Sequence, residues 1–226
     1  MDQERREDQR VKRQYDRVYL LSNIVLWPLE RLFFGHFRWA LLHELSGRIL
    51  EVGVGTGKNL PYYDHQRVQL TGVDLSEGLL KRARRLSTHL HLPVDLRPMD
   101  AEHLEFPHQT FDVVVATFVL CSVSSPILVL QEMARVLKPN GQILMLEHVL
   151  SQIPRLARLQ HWMGTHMERD TLTNIAQSGL LLVDDHKLML GDIIRRLECR
   201  TAPPLHPSQI STCHKGSLND CISDVT

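Results

Sequence analysis

From Arg48 onward, short aliphatic runs alternate with segments whose apolar residues recur at helical spacing. RILEVG, VQLTGVD, VDLRPMD, FDVVVATFVL and QILMLEHVL read as five successive strands. SEGLLKRARRL and SPILVLQEMARVLK, lying between them, read as helices. Strands that are aliphatic on both faces and alternate with helices predict a parallel sheet covered on two sides. Ser76 stands where it would cap the helix after the second strand, and Gly141 follows the KPN expected to end the helix after the fourth. RDTLTNIAQSGL predicts one more helix, stopped by Gly179, and LLLVDDHKLMLGDIIRRLECR predicts two strands in a hairpin at the sheet edge.

The pattern before Arg48 is different. Residues 1–13 interleave both signs of charge without an apolar face and are expected to be disordered. YLLSNIVLWPLERLFFGHFRWALL is the most apolar stretch of the chain. Ser22, Asn23, Glu30, Arg31, His36 and Arg38 interrupt it, so it falls short of the roughly 18 continuous apolar residues that span a bilayer. Two amphipathic helices meeting near Pro28 fit it, forming a helical cap over residues 14–46. Trp27, Phe33, Phe34, Phe37 and Trp39 would then cover the core or the mouth of a site. The alternative is that they rest on a membrane or admit a greasy substrate. Residues 203–226 carry little apolar periodicity and are expected to be a disordered tail, leaving one folded domain over 14–202.

The length of 226 residues agrees with one well-buried domain and is too short for two ordinary ones. Lys plus Arg equals Asp plus Glu at 26 each, so no overall field draws the chain to nucleic acid. Cys121, Cys199, Cys213 and Cys221 show no zinc-ligand spacing, and the chain does not start with a secretory signal. Reduced thiols and a cytoplasmic location follow, with peripheral membrane contact as an addition. Lys81, Arg82, Arg84 and Arg85 form a basic cluster, read either as a solvated helix face or as a dock for an anionic leaflet.

The candidate chemistry lies in ILEVGVGTGKNLPYY, where Gly53, Gly55 and Gly57 follow an aliphatic strand. A phosphate-cradling GxxxxGK[ST] loop fails twice, because Val52 replaces its first glycine and Asn59 its hydroxyl. The dinucleotide fingerprint GxGxxG fails once, because Lys58 takes the third glycine position, so NAD is disfavoured. What remains is GxGxG with an acid, Glu51, two residues before the first glycine.

That segment resembles motif I of the class I S-adenosylmethionine-dependent methyltransferases, and the resemblance covers residues 15–200. It implies an α/β, Rossmann-like, doubly wound fold: a mostly parallel seven-stranded sheet with a C-terminal antiparallel hairpin and N-terminal helices. It also implies S-adenosyl-L-methionine as cofactor. Gly53, Gly55, Thr56 and Gly57 would lie against the sugar and methionyl part, with Glu51 close to the amino-acid end or orienting the loop. Asp74 would accept both ribose hydroxyls with Leu75 beside it, Asp100 and Ala101 would meet the adenine, and Thr117 and Phe118 would face the methionine. All these stations fall at the carboxyl ends of strands, where an open α/β sheet forms its crevice. RVLKPNGQILMLEHV is similar to the branch holding ubiquinone/menaquinone C-methyltransferases and phospholipid N-methyltransferases. GTGKNLPYY, VLCSV and LEHV resemble the thiol S-methyltransferases more closely still.

A sulfonium methyl is already electrophilic, so positioning alone can supply roughly 7–11 kcal/mol of acceleration. The expected acceptor is small or lipid-like: a thiol, a quinol or a lipid amine. A phenol, quinol carbon or thiol also needs a base or a pocket that favours the anion. Asp100, Tyr62, Tyr63, Cys121, Glu147, His148, His161 and His166 are the residues expected near the methyl, with no catalytic base singled out. The spacing of His161 and His166, with no third ligand evident, argues against a metal. A non-catalytic binding or assembly protein on the same fold stays open. DNA or RNA methylation is disfavoured, because Thr117-Phe118-Val119-Leu120 stands where an Asn-Pro-Pro-Tyr-like motif would be.

Overall fold

The computed structural model describes residues 34–151, 153, 154, 158, 169–189 and 192–201. Helix α1 covers 34–42. β1 (Gly47–Val52), β2 (Val68–Asp74), helix α2 (Glu77–Leu90), β3 (Val94–Pro98) and β4 (Phe111–Thr117) follow. Helix α3 (Pro126–Val136), β5 (Leu137–His148), helix α4 (Thr171–Ser178), β6 (Leu180–Met189) and β7 (Ile194–Thr201) complete the order. The expected disordered ends, Trp27, Phe33, Cys213 and Cys221 lie outside the described residues.

The strands form one seven-stranded sheet in the order β3-β2-β1-β4-β5-β7-β6. The first five run parallel, and β7 enters antiparallel between β5 and β6. The chain winds outward from β1 to β3, then returns to β4 on the other side of β1. That reversal opens a crevice beyond the tips of β1 and β4.

Alternation along the strands divides the core. Ile49, Val113, Val115, Leu144 and Leu146 face α1 and α2 through Leu41, Leu42 and Leu80. Leu50, Val52, Val114, Ala116 and Met145 face α3 and α4 through Leu130, Met133 and Ile175. Residues buried on both faces explain why β1, β4 and β5 read as continuous aliphatic runs.

The predicted caps at Ser76 and Gly179 form. Ser76 Oγ accepts from the Leu79 N–H at 3.3 Å, and Gly179 ends α4 at φ +82°. Gly141 is a correction. Helix α3 stops at Val136, and the chain passes directly into β5 with Asn140, not Gly141, at positive φ. Gly141 serves close approach instead: a Cβ there would meet the Asp112 carbonyl oxygen at 2.8 Å.

The sheet is also less covered than its sequence pattern suggests. Gln69 and Thr71 of β2, and Asp95 and Arg97 of β3, share a face with Arg48 of β1. Among the described residues no helix lies over it; Phe106, Pro107 and Thr110 of the β3–β4 connection flank a groove of about 480 Å3 there. The polar residues at alternate positions of β2 and β3 are the trace of that exposure.

Candidate active site

Four strand tips converge at the crevice, and the glycine loop after β1 is its floor. Gly53, Gly55 and Gly57 have φ of +65°, +55° and +84°, a left-handed run that side chains resist. At Gly53 space is limiting as well: a Cβ would lie 2.5 Å from Val119 Cγ2, in the loop after β4.

Asp74, at the tip of β2, faces that loop. One carboxylate oxygen accepts the Gly55 N–H at 2.9 Å, and the other accepts the Ser76 N–H at 2.8 Å. Asp74 therefore ties the glycine loop to the start of α2, while the cap of that helix is Ser76. Leu75 beside it is 56% exposed, an aliphatic surface at the crevice rim. The Met99 N–H donates to the Asp74 carbonyl at 3.1 Å and brings the tip of β3 alongside. Asp100 is exposed there, accepting the Glu102 N–H at 2.9 Å, and Ala101 packs on the core.

Glu51 is 1% exposed and anchors a network that the sequence did not announce. It accepts from Asn59 Nδ2 and from the Tyr63 hydroxyl, each at 2.9 Å. Asn59 also donates to Thr117 Oγ1 at 3.0 Å. Arg38 of α1, itself buried, donates to Asn59 Oδ1 and to Thr117 Oγ1. Burial pushes the Glu51 carboxyl up to about 7, against the pull of Tyr63, Arg38 and Asn59. Burial, reinforced by Glu51, holds the Tyr63 phenol well above its ordinary value. Tyr63 is thus a buried partner of Glu51, not a residue open to a methyl acceptor, which corrects the expectation for it. Tyr62 packs against α1, its hydroxyl 3.0 Å from where a Cβ on Gly35 would sit.

The tips of β4 and β5 form an aromatic wall beside Thr117. Phe118 packs edge-on to Phe34 at 5.3 Å between centroids and lies 4.6 Å from the His148 ring. Burial lowers His148 to about 4, so its imidazole is neutral at physiological pH. Glu147 points to the opposite face, is fully buried, and is raised to about 7 by desolvation. Cys121 directs its thiol at the Phe118 carbonyl, 3.6 Å away, and burial pushes it up to about 11, so it stays a thiol. His161, His166 and Trp162 lie outside the described residues.

The structure therefore gathers Glu51, the glycines, Asp74, Leu75, Thr117 and Phe118 at one crevice, with Asp100 and Ala101 at its β3 rim. Arg38 and Asn59 were missed by sequence reasoning, as was Arg169, whose guanidinium donates to the Leu120 and Val123 carbonyls in the loop after β4. A charged residue interrupting an apolar helix was the available signal for Arg38. The same was true of an amide directly after the glycine loop for Asn59. Nothing local marked Arg169.

The crevice fits an adenosyl ligand with an amino-acid end. Its floor carries no side chains at three positions, a carboxylate sits at the tip of β2, and a buried guanidinium lies close to the tip of β4. A methyltransferase-domain family profile matches residues 50–145. Over 138 residues the chain is 44% identical to the phosphatidylethanolamine N-methyltransferase of Cereibacter sphaeroides, covering 57% of this chain and 68% of that protein. Over 113 residues it is 38% identical to the thiol S-methyltransferase TMT1B of Mus musculus, covering 48% of this chain and only 46% of that protein's length. The solved geranyl diphosphate methyltransferase in complex with SAM shares the fold, with a TM-score of 0.60 at 15% identity over 74% of this chain and 84% of that one. With the crevice geometry in place, these likenesses show that the chain belongs to the class I S-adenosylmethionine-dependent methyltransferases, in the branch that holds ubiquinone/menaquinone C-methyltransferases, phospholipid N-methyltransferases and thiol S-methyltransferases.

Proposed function

We propose that this methyltransferase acts on the amine head of an amphipathic lipid. The observation that carries this reading is the wall beside Thr117: Phe34, Phe118 and a neutral His148, with α1 laid against it. A desolvated aromatic surface suits an acceptor whose reactive head is attached to an apolar body. The 44% identity to a phosphatidylethanolamine N-methyltransferase supports the same class.

Bound S-adenosylmethionine supplies an electrophilic methyl group. The chain's own residues then hold and align. Asp74 takes the ribose hydroxyls, and Leu75, Asp100 and Ala101 take the adenine side. Gly53, Gly55, Thr56 and Gly57 give backbone to the sugar and methionyl part. Arg38, Glu51, Thr117 and Phe118 surround the amino-acid end. His148, being neutral, accepts a hydrogen bond from the incoming head without adding positive charge beside a sulfonium.

Trp39 of α1 is 49% exposed, and Lys81 and Arg85 are exposed on α2, which supports a peripheral contact with an anionic leaflet by a cytoplasmic enzyme. Among the described residues no helix is long and apolar enough to cross a membrane. The test supplies labelled methyl donor with phosphatidylethanolamine vesicles, a small thiol or a reduced quinone. Methylation of the lipid is expected; label in the thiol or quinol alone would overturn the lipid reading. Sedimentation with anionic vesicles at low salt checks the surface contact, and no co-sedimentation would remove it.

A further inference from the structure

The loop after β4 begins in strain. Phe118 has φ +56°, a left-handed conformation that a bulky aromatic residue rarely adopts. Such a conformation persists only where the surroundings over-determine it. Here they do. The Phe118 N–H donates to the Leu146 carbonyl at 2.8 Å. The next two N–H groups, of Val119 and Leu120, both donate to Glu147 Oε1, at 2.7 and 3.2 Å. From the other side, Arg169 Nη1 donates to the carbonyls of Leu120 and Val123 at 2.8 and 2.7 Å.

One side chain thus takes the loop's donors and another its acceptors, from elements 27 and 49 residues away at Leu120. The arrangement is costly. Glu147 is fully buried, and among the described residues its Oε2 has no hydrogen-bond partner. A buried, half-satisfied carboxyl is a poor stabiliser, so its presence asks for a role beyond stability. What the clamp fixes is the Phe118 ring, locked between Phe34 and His148.

We propose that Glu147 and Arg169 are positioning residues for methyl transfer, acting through Phe118 to hold the acceptor wall in its working shape. The proposal rests on the reading that this wall receives the acceptor. The donor side also has holds of its own, Asp74 on the Gly55 N–H and Glu51 on Asn59, while Phe118 and the Val119–Gly53 contact border both halves of the site.

The test uses the full chain with Glu147→Ala, Glu147→Gln, Arg169→Ala and Arg169→Lys. Hydrogen exchange in peptides covering 118–124 needs no acceptor. Exchange there is expected to rise about tenfold or more in Glu147→Ala and Arg169→Ala, with S-adenosylmethionine affinity by calorimetry within about threefold of the parent. Glu147→Gln keeps an oxygen for both N–H groups and is expected to restore protection. With phosphatidylethanolamine vesicles, KM for the lipid is expected to rise about tenfold in Glu147→Ala while KM for the donor changes by no more than about threefold. Unchanged exchange, an equal loss of donor affinity, or failure of Glu147→Gln to rescue would overturn the clamp. If the parent enzyme leaves the vesicles unmethylated, the lipid reading falls, while the exchange result still decides the clamp.

Discussion

Gly53→Ala makes a demanding test, because two separate costs are written into that position. Its φ of +65° is left-handed, which costs a residue with a Cβ roughly 1–2 kcal/mol. The added Cβ would fall 2.5 Å from Val119 Cγ2 and 3.2 Å from Cγ1. Val119 has little room to yield. It is 6% exposed, its side chain is branched at Cβ, and its N–H is held by Glu147 at 2.7 Å. Overpacking of that kind costs about 1–3 kcal/mol, so the total is about 2–5 kcal/mol. Gly179→Ala is the control. Its φ of +82° carries the same backbone penalty, but nothing lies within 4 Å of the added Cβ, so only about 1–2 kcal/mol is expected. Urea unfolding with linear extrapolation measures both. Val119→Ala placed on Gly53→Ala is expected to recover part of the loss, giving a coupling of about 0.5–3 kcal/mol in a double-mutant cycle. Equal losses at the two glycines, to within about 0.5 kcal/mol, would refute the claim that β1 and β4 tips are packed through this contact.

Asp74→Ala removes the acceptor of two backbone N–H groups and is expected to weaken S-adenosylmethionine binding about 100-fold or more by calorimetry, with Asp74→Asn intermediate. An unchanged dissociation constant would remove Asp74 from the site. Arg38→Met removes the donor to Asn59 and Thr117 and is expected to cost about 1–3 kcal/mol in urea unfolding; a loss under about 0.5 kcal/mol would mean the network is not stabilising. Glu147 titrates near 7 when folded, against 4.5 ordinarily, so the stability it contributes is full below about 4.5 and lost as pH rises through about 7. Glu147→Gln lacks that titration, so its stability relative to the parent is expected to improve by about 2–3 kcal/mol between pH 5 and pH 8. A difference that is the same at both pH values would sink the assignment.

By itself the sequence determined the strands, the glycine loop and the order in which acids follow it. These are local signals: aliphatic runs for strands buried on both faces, glycines where φ turns positive, Ser76 at a helix start. From Glu51, Asp74, Asp100 and Thr117 at successive strand ends, the crevice followed once the sheet was taken as parallel. Tertiary structure alone decided which side chains complete each other. Arg38 reaches Thr117 across 79 residues, and Arg169 reaches Leu120 across 49, so no window along the chain contains either pair. The same physics moved Tyr63 from a candidate at the methyl to a buried partner of Glu51, and made Gly141 a point of close approach, not a cap. Periodicity reports which face of an element is buried. Which partner an ion or a phenol finds on that face depends on strand order and register, and these exist only once the sheet has assembled.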